Sequence, residues 1–277
     1  MTRISRSHPR YASLQTRSRL AAASRRGLVV PEGLIAQGRA EAFDYLLGER
    51  TSPSARRAIR AAAGWLVRAR RPVLSVNGNV AALAPREVAD VVRALPGLQV
   101  EVNLFHRTPR RVRLVEASLK RVGITPVLGL RPTVRVPGLD SDRGRVDAGG
   151  IAVADVVVIP LEDGDRAEAL RRWGKRVIAI DLNPLSRTAR TADLPIVDEV
   201  QRALTLLAQS IRKERRRSRP RGRFSPFDAS GARAAALTTM AKELRRSTAT
   251  MPPRPSKRGR ASPRPAPGSA GRIRRRP

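Results

Sequence analysis

A cluster of charged and hydrogen-bonding side chains follows a short apolar run in the second half of the chain. The run RVIAI begins at Arg176 and leads into the polar residues Asp181, Asn183, Ser186, Arg187, Thr188 and Arg190. Open α/β sheets bind nucleotides and small substrates with such side chains, just past the carboxyl ends of buried strands. The segment therefore predicts a phosphate- or nucleotide-binding site, although Arg190 has an alternative partner in Asp193.

Two more apolar runs lead into side chains suited to phosphate. PVLSV is followed by Asn77-Gly78-Asn79, which is either a simple glycine turn or a turn whose amides bind an anion. LQVEVNL contains Asn103 and is followed by His106, Arg107 and Thr108. Thr108 suits a helix cap, and Arg107 is the better phosphate ligand because a guanidinium pairs bidentately with phosphate or carboxylate.

A fourth run, ADVVVIP, is followed by the acidic residues Glu162, Asp163 and Asp165. Asp165 suits the first turn of the next helix, where a carboxylate is stabilised. Asp163 is a candidate for orienting an amine or for binding a phosphate-bound Mg²⁺. Because four predicted strands end in polar clusters, we expect the clusters to form one site.

Several familiar kinds of site are excluded by the sequence. It has no cysteine and two histidines, so a thiolate nucleophile and a histidine-rich metal site are excluded. It also lacks GxxxxGK[ST], a GxGxxG after a strand, and GxSxG. Chemistry based on binding and positioning phosphates fits better than covalent catalysis by the protein.

The net charge of +33 is unevenly distributed. Residues from Ile211 onward carry 21 Lys and Arg against 3 Asp and Glu, which is more than half of the excess. The stretch 247–277 is rich in Pro, Ser and Arg and predicts a disordered basic tail. This tail either attracts nucleic acid nonspecifically or reflects composition alone. With no long apolar segment or secretory signal, the sequence predicts a soluble cytoplasmic protein without membrane contact.

The hydrophobic pattern predicts an α/β fold. Predicted helices are Pro31 to Leu47, a helix capped by Ser52, Pro85 to Leu95, Pro109 to Val122, Arg166 to Trp173 and Glu199 to Lys213, and another is expected to begin near Leu83. Predicted strands are Pro72 to Val76, Leu98 to Leu104, Thr125 to Leu130, Ala154 to Pro160, Arg176 to Asp181 and Leu194 to Val197. The alternation predicts a Rossmann-like, doubly wound, mostly parallel sheet, interrupted by an irregular insert over 131–150. We expect a helical segment over 1–70, an α/β nucleotide- and substrate-binding domain over 71–246, and the tail.

Seven motifs in order resemble the archaeal phosphopantothenate synthetases, the 4-phosphopantoate–β-alanine ligases of coenzyme A biosynthesis. The resemblance extends to about residue 246. The motifs are SHPRYASL (7–14), GLIAQGRAEAFDYLLGE (33–49), SVNGNVAAL (75–83), EVNLFHRT (101–108), PGLDSDRGRVD (137–147), PLEDGDRAEAL (160–170) and AIDLNPLSRTARTAD (179–193).

The resemblance implies a homodimeric, AMP-forming ligase that uses ATP, with Mg²⁺ expected. Its implied ATP-binding residues are Arg17, Arg39, Asp181, Leu182, Asn183, Arg187, Thr188, Glu199 and Val200. For 4-phosphopantoate we select Asn77, Asn79, Asn103, Arg107 and Arg143, and for catalysis Arg187 and Asp163. The chain departs from the family pattern at Val80, usually threonine, and at Gln37, often histidine.

Two other functions stay open at this point. One is a nucleic-acid-binding protein that uses the basic surface and tail, although an aromatic content of 3% leaves few stacking platforms. The other is a different ATP-using ligase or a kinase on the same fold. Which residues bind β-alanine and which bind a metal is not predicted.

Overall fold

A five-stranded parallel sheet forms the centre of the computed structural model, which describes residues 5–8, 10–217 and 223–249. The strands are β1 (Pro72–Val76), β2 (Gln99–Val102), β3 (Val134–Arg135), β4 (Arg145–Val146), β5 (Val156–Pro160), β6 (Arg176–Ile180) and β7 (Leu194–Ile196). The order in the sheet is β2-β1-β5-β6-β7, and β3 pairs separately and antiparallel with β4. Strands β1 and β5 are buried along their whole length, as expected for a sheet covered on both faces.

Ten α-helices surround the sheet in the described residues. They are α1 (Tyr11–Arg25), α2 (Pro31–Leu46), α3 (Pro53–Arg68), α4 (Gly78–Leu83), α5 (Pro85–Ala94), α6 (Pro109–Lys120), α7 (Gly164–Arg172), α8 (Arg187–Thr191), α9 (Val200–Arg215) and α10 (Ala229–Ala249). Helices α3, α5 and α9 share one hydrophobic cluster with Leu74, Val158 and Ile178. Helix α7 shares the other with Val157 and Val177, so adjacent strand residues face opposite layers. The predicted doubly wound α/β fold is confirmed.

The N-terminal helices pack against this core. Leu20 of α1 and both Ile59 and Trp65 of α3 belong to the same cluster as the sheet residues. Ser52 caps α3 by accepting a hydrogen bond from the Ala55 amide, with Pro53 at the first helical position, as predicted. The division into units 1–70 and 71–246 stays a prediction.

Two predicted elements differ in the structure. The segment 125–130 is not a strand, and only Leu128 forms a bridge, to Glu101. Pro126 has no amide to donate and Gly129 has a positive φ, so regular pairing cannot extend in either direction. The helix expected near Leu83 instead begins at Gly78, because the side chain of Asn77 caps it. The insert 131–150 is irregular, as predicted, apart from β3, β4 and one helical turn at Asp142–Gly144.

The predicted tail falls mainly outside the described residues. Its first three residues, 247–249, form the end of α10, and residues 250–277 are not described. Helix α10 was missed because it buries few side chains, Ala236 and Met240 among them. No helix in the described part of the chain is long and apolar enough to span a membrane.

A buried polar network connects three strands beneath the carboxyl edge of the sheet. The guanidinium of Arg166 on α7 is fully buried and donates to Ser75 of β1 (3.0 Å), to Asn103 after β2, and to Glu162 after β5 (2.5 Å). A buried ion pair requires such additional hydrogen bonds to offset the loss of hydration. Arg166 therefore fixes the relative positions of the strand ends that carry the predicted site.

Replacing Arg166 with methionine should reduce the free energy of unfolding by about 3 kcal/mol, because Glu162 and Asn103 lose a buried donor. Urea denaturation measures this change. Arg172→Met is the matched control on the same helix, since its ion pair with Glu168 is exposed and should contribute little. Equal stability of the two variants would contradict a central role for the buried network.

Candidate active site at the carboxyl edge of the sheet

A cavity of about 390 Å³ lies at the carboxyl ends of β1, β5 and β6 and is covered by α2. We call it the edge cavity; its lining includes Gly33, Arg39, Asn77, Asp163 and Asp181. The chain runs from β1 outward to β2 and then returns to β5 on the other side of β1. This change of direction is the position where open α/β sheets bind ligands. Three of the four predicted polar strand ends thus contribute to one cavity.

Three arginines line the edge cavity, and they differ in how their charges are balanced. Arg143 forms ion pairs with Glu162 (2.8 Å) and Asp163, and it lies over the ring of Phe105 at 4.6 Å. Arg39 and Arg111 have no carboxylate within ion-pair distance in the described part of the chain. Although Glu32, Glu162, Asp163 and Asp181 also line the edge cavity, these two guanidiniums are not held in ion pairs and are suited to bind a phosphate or a carboxylate.

Glu162 holds Arg143 in place from below. Its side chain is 2% exposed and lies between two guanidiniums, with Arg143 at 2.8 Å and the buried Arg166 at 2.5 Å. Because Arg166 is fixed by Ser75 and Asn103, Glu162 has little freedom to move. Arg143 is therefore oriented toward the edge cavity before any ligand binds.

The segment after β6 folds around the carboxylate of Asp181. This group accepts hydrogen bonds from the backbone amide of Asn183 (3.0 Å) and from the hydroxyl of Ser186, which also caps α8. Burial raises the pKa of Asp181, while these two hydrogen bonds and the nearby charge of Arg39 oppose the rise. Asp181, Asn183 and Arg39 form one end of the edge cavity, rich in groups that bind a nucleoside or phosphates.

Helix α2 approaches the first strand end closely. The side-chain amide of Asn79 donates to the Gly33 carbonyl (2.8 Å), and a Cβ at Gly33 would lie 2.4 Å from the Asn79 side chain. A side chain at position 33 would therefore require the Asn79 side chain to shift and would disturb this hydrogen bond. One turn further along α2, Gln37 is 8% exposed and its Oε1 has no hydrogen-bond partner among the described residues. A buried acceptor without a partner at a cavity wall is suited to a ligand donor.

The structure brings about half of the predicted site residues together. The predicted residues that line the edge cavity are Arg39, Asn77, Asn79, Arg143, Asp163, Asp181 and Asn183. Asn77 contributes mainly as a turn, because its side chain caps α4 and donates to the carbonyls of Pro160 and Leu161. Both alternatives for this motif fit these contacts, and its binding of an anion or of substrate stays a prediction.

Arg187 and Thr188 lie next to the edge cavity and do not line it. Arg187 is in an adjoining cleft of about 380 Å³ that shares Phe105, Arg143 and Asp163 with the edge cavity. Its guanidinium is exposed and pairs with Asp165 and with Glu168 (2.6 Å). Thr188 is buried, and its hydroxyl donates to the Glu162 carbonyl. The predicted roles of both residues in binding ATP stay predictions.

Four other predicted ATP-binding residues lie outside the edge cavity. Leu182 packs in the small apolar cluster of Met240, and Val200 begins α9 in the core. Glu199 caps α9 through the amides of Gln201 and Arg202. Arg17 on α1 is half-exposed and pairs bidentately with Glu41.

Asn103 and Arg107, predicted to bind 4-phosphopantoate, are also outside the edge cavity. Asn103 is buried in the Arg166 network, where it donates to Glu101 and to the Arg145 carbonyl. Arg107 donates to the carbonyls of Gly129 and Leu130 and lines a separate cleft of about 820 Å³ beside β2. The structure therefore assigns Asn103 a structural contact and separates Arg107 from the other candidates.

Three residues of the edge cavity were missed or undervalued by sequence reasoning. Arg111 was not singled out, although the cap at Thr108 places it in the first turn of α6. Glu162 was read only as part of an acidic cluster, and Gln37 only as a departure from a family pattern. The position of Thr108 was a usable signal for Arg111. The burial of Glu162 and Gln37 depends on tertiary packing and had no such signal.

Within the described residues, no three acidic or histidine side chains come together as a metal site. A Mg²⁺ ion bound through nucleotide phosphates needs only one or two carboxylates from the protein. Asp163 fits that requirement, because it lines the edge cavity and its side chain is 61% exposed.

Fold and site together define an α/β protein with an arginine-lined cavity at the switch point of its sheet. The chain belongs to the phosphopantothenate/pantothenate synthetase family, whose model matches residues 54–243. The resemblance seen in the seven motifs is thereby confirmed.

Three relatives show how extensive the similarity is. The chain is 52% identical over 220 residues to the 4-phosphopantoate–β-alanine ligase of Thermococcus onnurineus, covering 79% of this chain and 84% of the relative. It is 55% identical over 206 residues to the enzyme of the same name from Methanospirillum hungatei, covering 74% and 84%. For the enzyme of that name from Methanosarcina mazei, identity is 52% over 219 residues, covering 78% and 86%.

The buried carboxyl of Asp181 predicts a specific pH dependence of stability. Because its pKa is raised in the folded state, Asp181 stabilises the fold fully below its unfolded pKa of about 3.9, and this contribution is lost as pH rises through the folded pKa. In the Asp181→Asn variant, the side chain at position 181 does not ionise. The free energy of unfolding of the native protein minus that of the variant should therefore decrease as pH rises from 4 to 7. Urea denaturation across this range measures it, and parallel pH profiles would contradict the assignment.

Proposed function

We propose that the protein is an ATP-dependent ligase of coenzyme A biosynthesis. It joins 4-phosphopantoate to β-alanine, forms 4′-phosphopantothenate and releases AMP and diphosphate. The observation that carries the proposal is the edge cavity, which lies at the position where open α/β sheets bind ligands. Its lining includes Asp181 and two arginines, Arg39 and Arg111, that form no ion pair in the described residues. The names of the relatives supply the substrates: four of them, 50–55% identical, are called 4-phosphopantoate–β-alanine ligases.

The proposed reaction has two steps. A carboxylate oxygen of 4-phosphopantoate attacks the α-phosphorus of ATP, and diphosphate leaves with its electron pair, giving an acyl adenylate. The amine of β-alanine then attacks the acyl carbon, AMP leaves, and the attacking nitrogen loses a proton. Negative charge develops on the leaving diphosphate in the first step, and on the acyl oxygen and the leaving AMP in the second, so fixed cations that stabilise these transition states supply most of the catalysis.

Roles within the edge cavity follow from position. Asp181 and Asn183 address the nucleoside, and Arg39 the triphosphate. Asp163 is the exposed carboxylate nearest Arg143, where it orients the β-alanine ammonium or binds Mg²⁺ with the phosphates. When bound, Mg²⁺ would neutralise triphosphate charge.

Two other predicted ATP-binding residues, Arg187 and Arg17, form ion pairs with acids of the same chain. Arg187 must exchange its exposed ion pairs with Asp165 and Glu168 for contacts with the nucleotide. Arg17 likewise pairs with Glu41 within its own chain.

We propose a homodimer as the active form.

The test is AMP formation by the purified full-length protein. AMP should accumulate over many turnovers only when ATP, 4-phosphopantoate and β-alanine are all present, whereas the first step alone releases at most one diphosphate per active site. ADP in place of AMP would indicate phosphoryl transfer and would overturn the adenylate mechanism. Equal rates with pantoate and with 4-phosphopantoate would overturn the assignment of the phosphorylated compound as the substrate.

Replacing Arg187 with alanine should raise the KM for ATP or lower kcat by about 100-fold, as expected when a transition-state donor is lost. Arg172→Ala is the matched control, because Arg172 lies in the same cleft and pairs with the same Glu168. Steady-state kinetics with ATP varied measures both. If Arg187→Ala behaves like Arg172→Ala, Arg187 has no part in catalysis.

A further inference from the structure

Arg111 has an unusual environment for a guanidinium at a cavity wall. It is half-buried, and it donates to two backbone carbonyls, of His106 and of Leu28 (3.4 Å). Its Nε is buried without a hydrogen-bond partner in the described part of the chain. Burial lowers the pKa of Arg111, so the charged form is only partly compensated. A buried cation without a carboxylate partner is costly unless a ligand supplies the negative charge.

A second cation lies near Arg111 in the edge cavity. After burial, the charge of the exposed Glu32 has the larger effect and raises the pKa of Arg111, whereas the charge of Arg143 lowers it; Glu32 forms no ion pair with Arg111. The Arg111 guanidinium also lies directly over the Asn77–Asn79 turn, 3.1 Å from where a Cβ of Gly78 would be. Arg111, which forms no ion pair, and the ion-paired Arg143 thus both present guanidinium donors in this part of the lining, and such donors suit a phosphate.

A second residue of the edge-cavity lining also has an unpaired polar atom. Gln37 on α2 is buried, and its Oε1 has no partner among the described residues. Gln37 and Arg111 therefore line the same cavity, and each has one side-chain atom without a partner. Buried polar atoms normally have a hydrogen-bond partner, which a ligand or a water molecule can supply.

Arg111 and Asp181 line different parts of the edge cavity. The Arg111 guanidinium lies over the turn that follows β1, whereas Asp181 follows β6, two strands further along the sheet. Two inter-strand spacings correspond to about 10 Å. If ATP binds at the Asp181 end, the positive charge at the Arg111 end is available to the other anionic substrate.

The chemistry of 4-phosphopantoate fits this separation. Its carboxylate must meet the α-phosphate of ATP, whereas its phosphate is on the other end of the molecule and takes no part in the reaction. The phosphate therefore points away from ATP. We propose that Arg111, with Arg143 beside it, binds the 4-phosphate and determines the preference for 4-phosphopantoate over pantoate; the inference rests on the proposed ligase function.

The experiment compares Arg111→Ala with the full-length native protein. We expect kcat/KM for 4-phosphopantoate to fall about 100-fold, as when a charged hydrogen-bond donor to phosphate is lost. The KM for ATP should change less than threefold, and the competitive inhibition constant of pantoate, which lacks the phosphate, should be unchanged. Arg111→Lys, which keeps the charge, should recover part of the loss.

Arg110→Ala is the matched control, because Arg110 is the adjacent, exposed residue of α6 outside the edge-cavity lining. It should keep native kinetics. The inference is overturned if Arg111→Ala weakens ATP and pantoate as much as 4-phosphopantoate, or if it matches Arg110→Ala. If Arg111→Ala does not fold, Arg111→Lys is used in its place. The same comparison then applies: kcat/KM for 4-phosphopantoate should fall more than the constants for ATP and pantoate change. Failure of the native protein to form AMP would instead overturn the proposed function.

Discussion

The ion pair between Arg166 and Glu162 is the interaction on which the candidate site depends. Arg166 reaches from α7 to three strand ends, and Glu162 connects it to Arg143 at the cavity wall. Buried pairs of this kind contribute little net stability, since desolvation offsets the attraction, but breaking one is costly. We interpret the pair as a means of positioning. It holds β1, β2 and β5 in register at the edge where substrates must meet.

Balanced and unbalanced arginines divide the site into functional parts. Arg143 is already neutralised by two acids and contributes a fixed direction, whereas Arg39 and Arg111 keep their charge available for ligands. Arg187 begins with exposed ion pairs that water screens, so exchanging them for phosphate contacts costs little. In the proposed ligase, this arrangement separates the nucleotide end from the phosphate end of the second substrate and leaves the reacting carboxylate between them.

The sequence predicted the sheet and the strand ends well, because apolar runs buried on both faces leave a clear pattern and parallel strands collect their polar ends at one edge. It misread 125–130, where Pro126 and Gly129 interrupt pairing that the apolar residues favour. Asn103 looked available to substrate but is buried under Arg166, and Arg111 looked like one arginine among many. These outcomes depend on which side chains meet across the fold, which spacing along one chain does not encode.

The most direct measurement is a crystal structure of the protein with 4-phosphopantoate and a non-reactive ATP analogue. The account predicts the nucleoside against Asp181 and Asn183, the 4-phosphate hydrogen-bonded to Arg111, and the carboxylate next to the α-phosphate, all within the edge cavity. A 4-phosphate bound instead in the cleft of Arg107, Arg113 and Arg145, or a nucleotide outside the edge cavity, would contradict it.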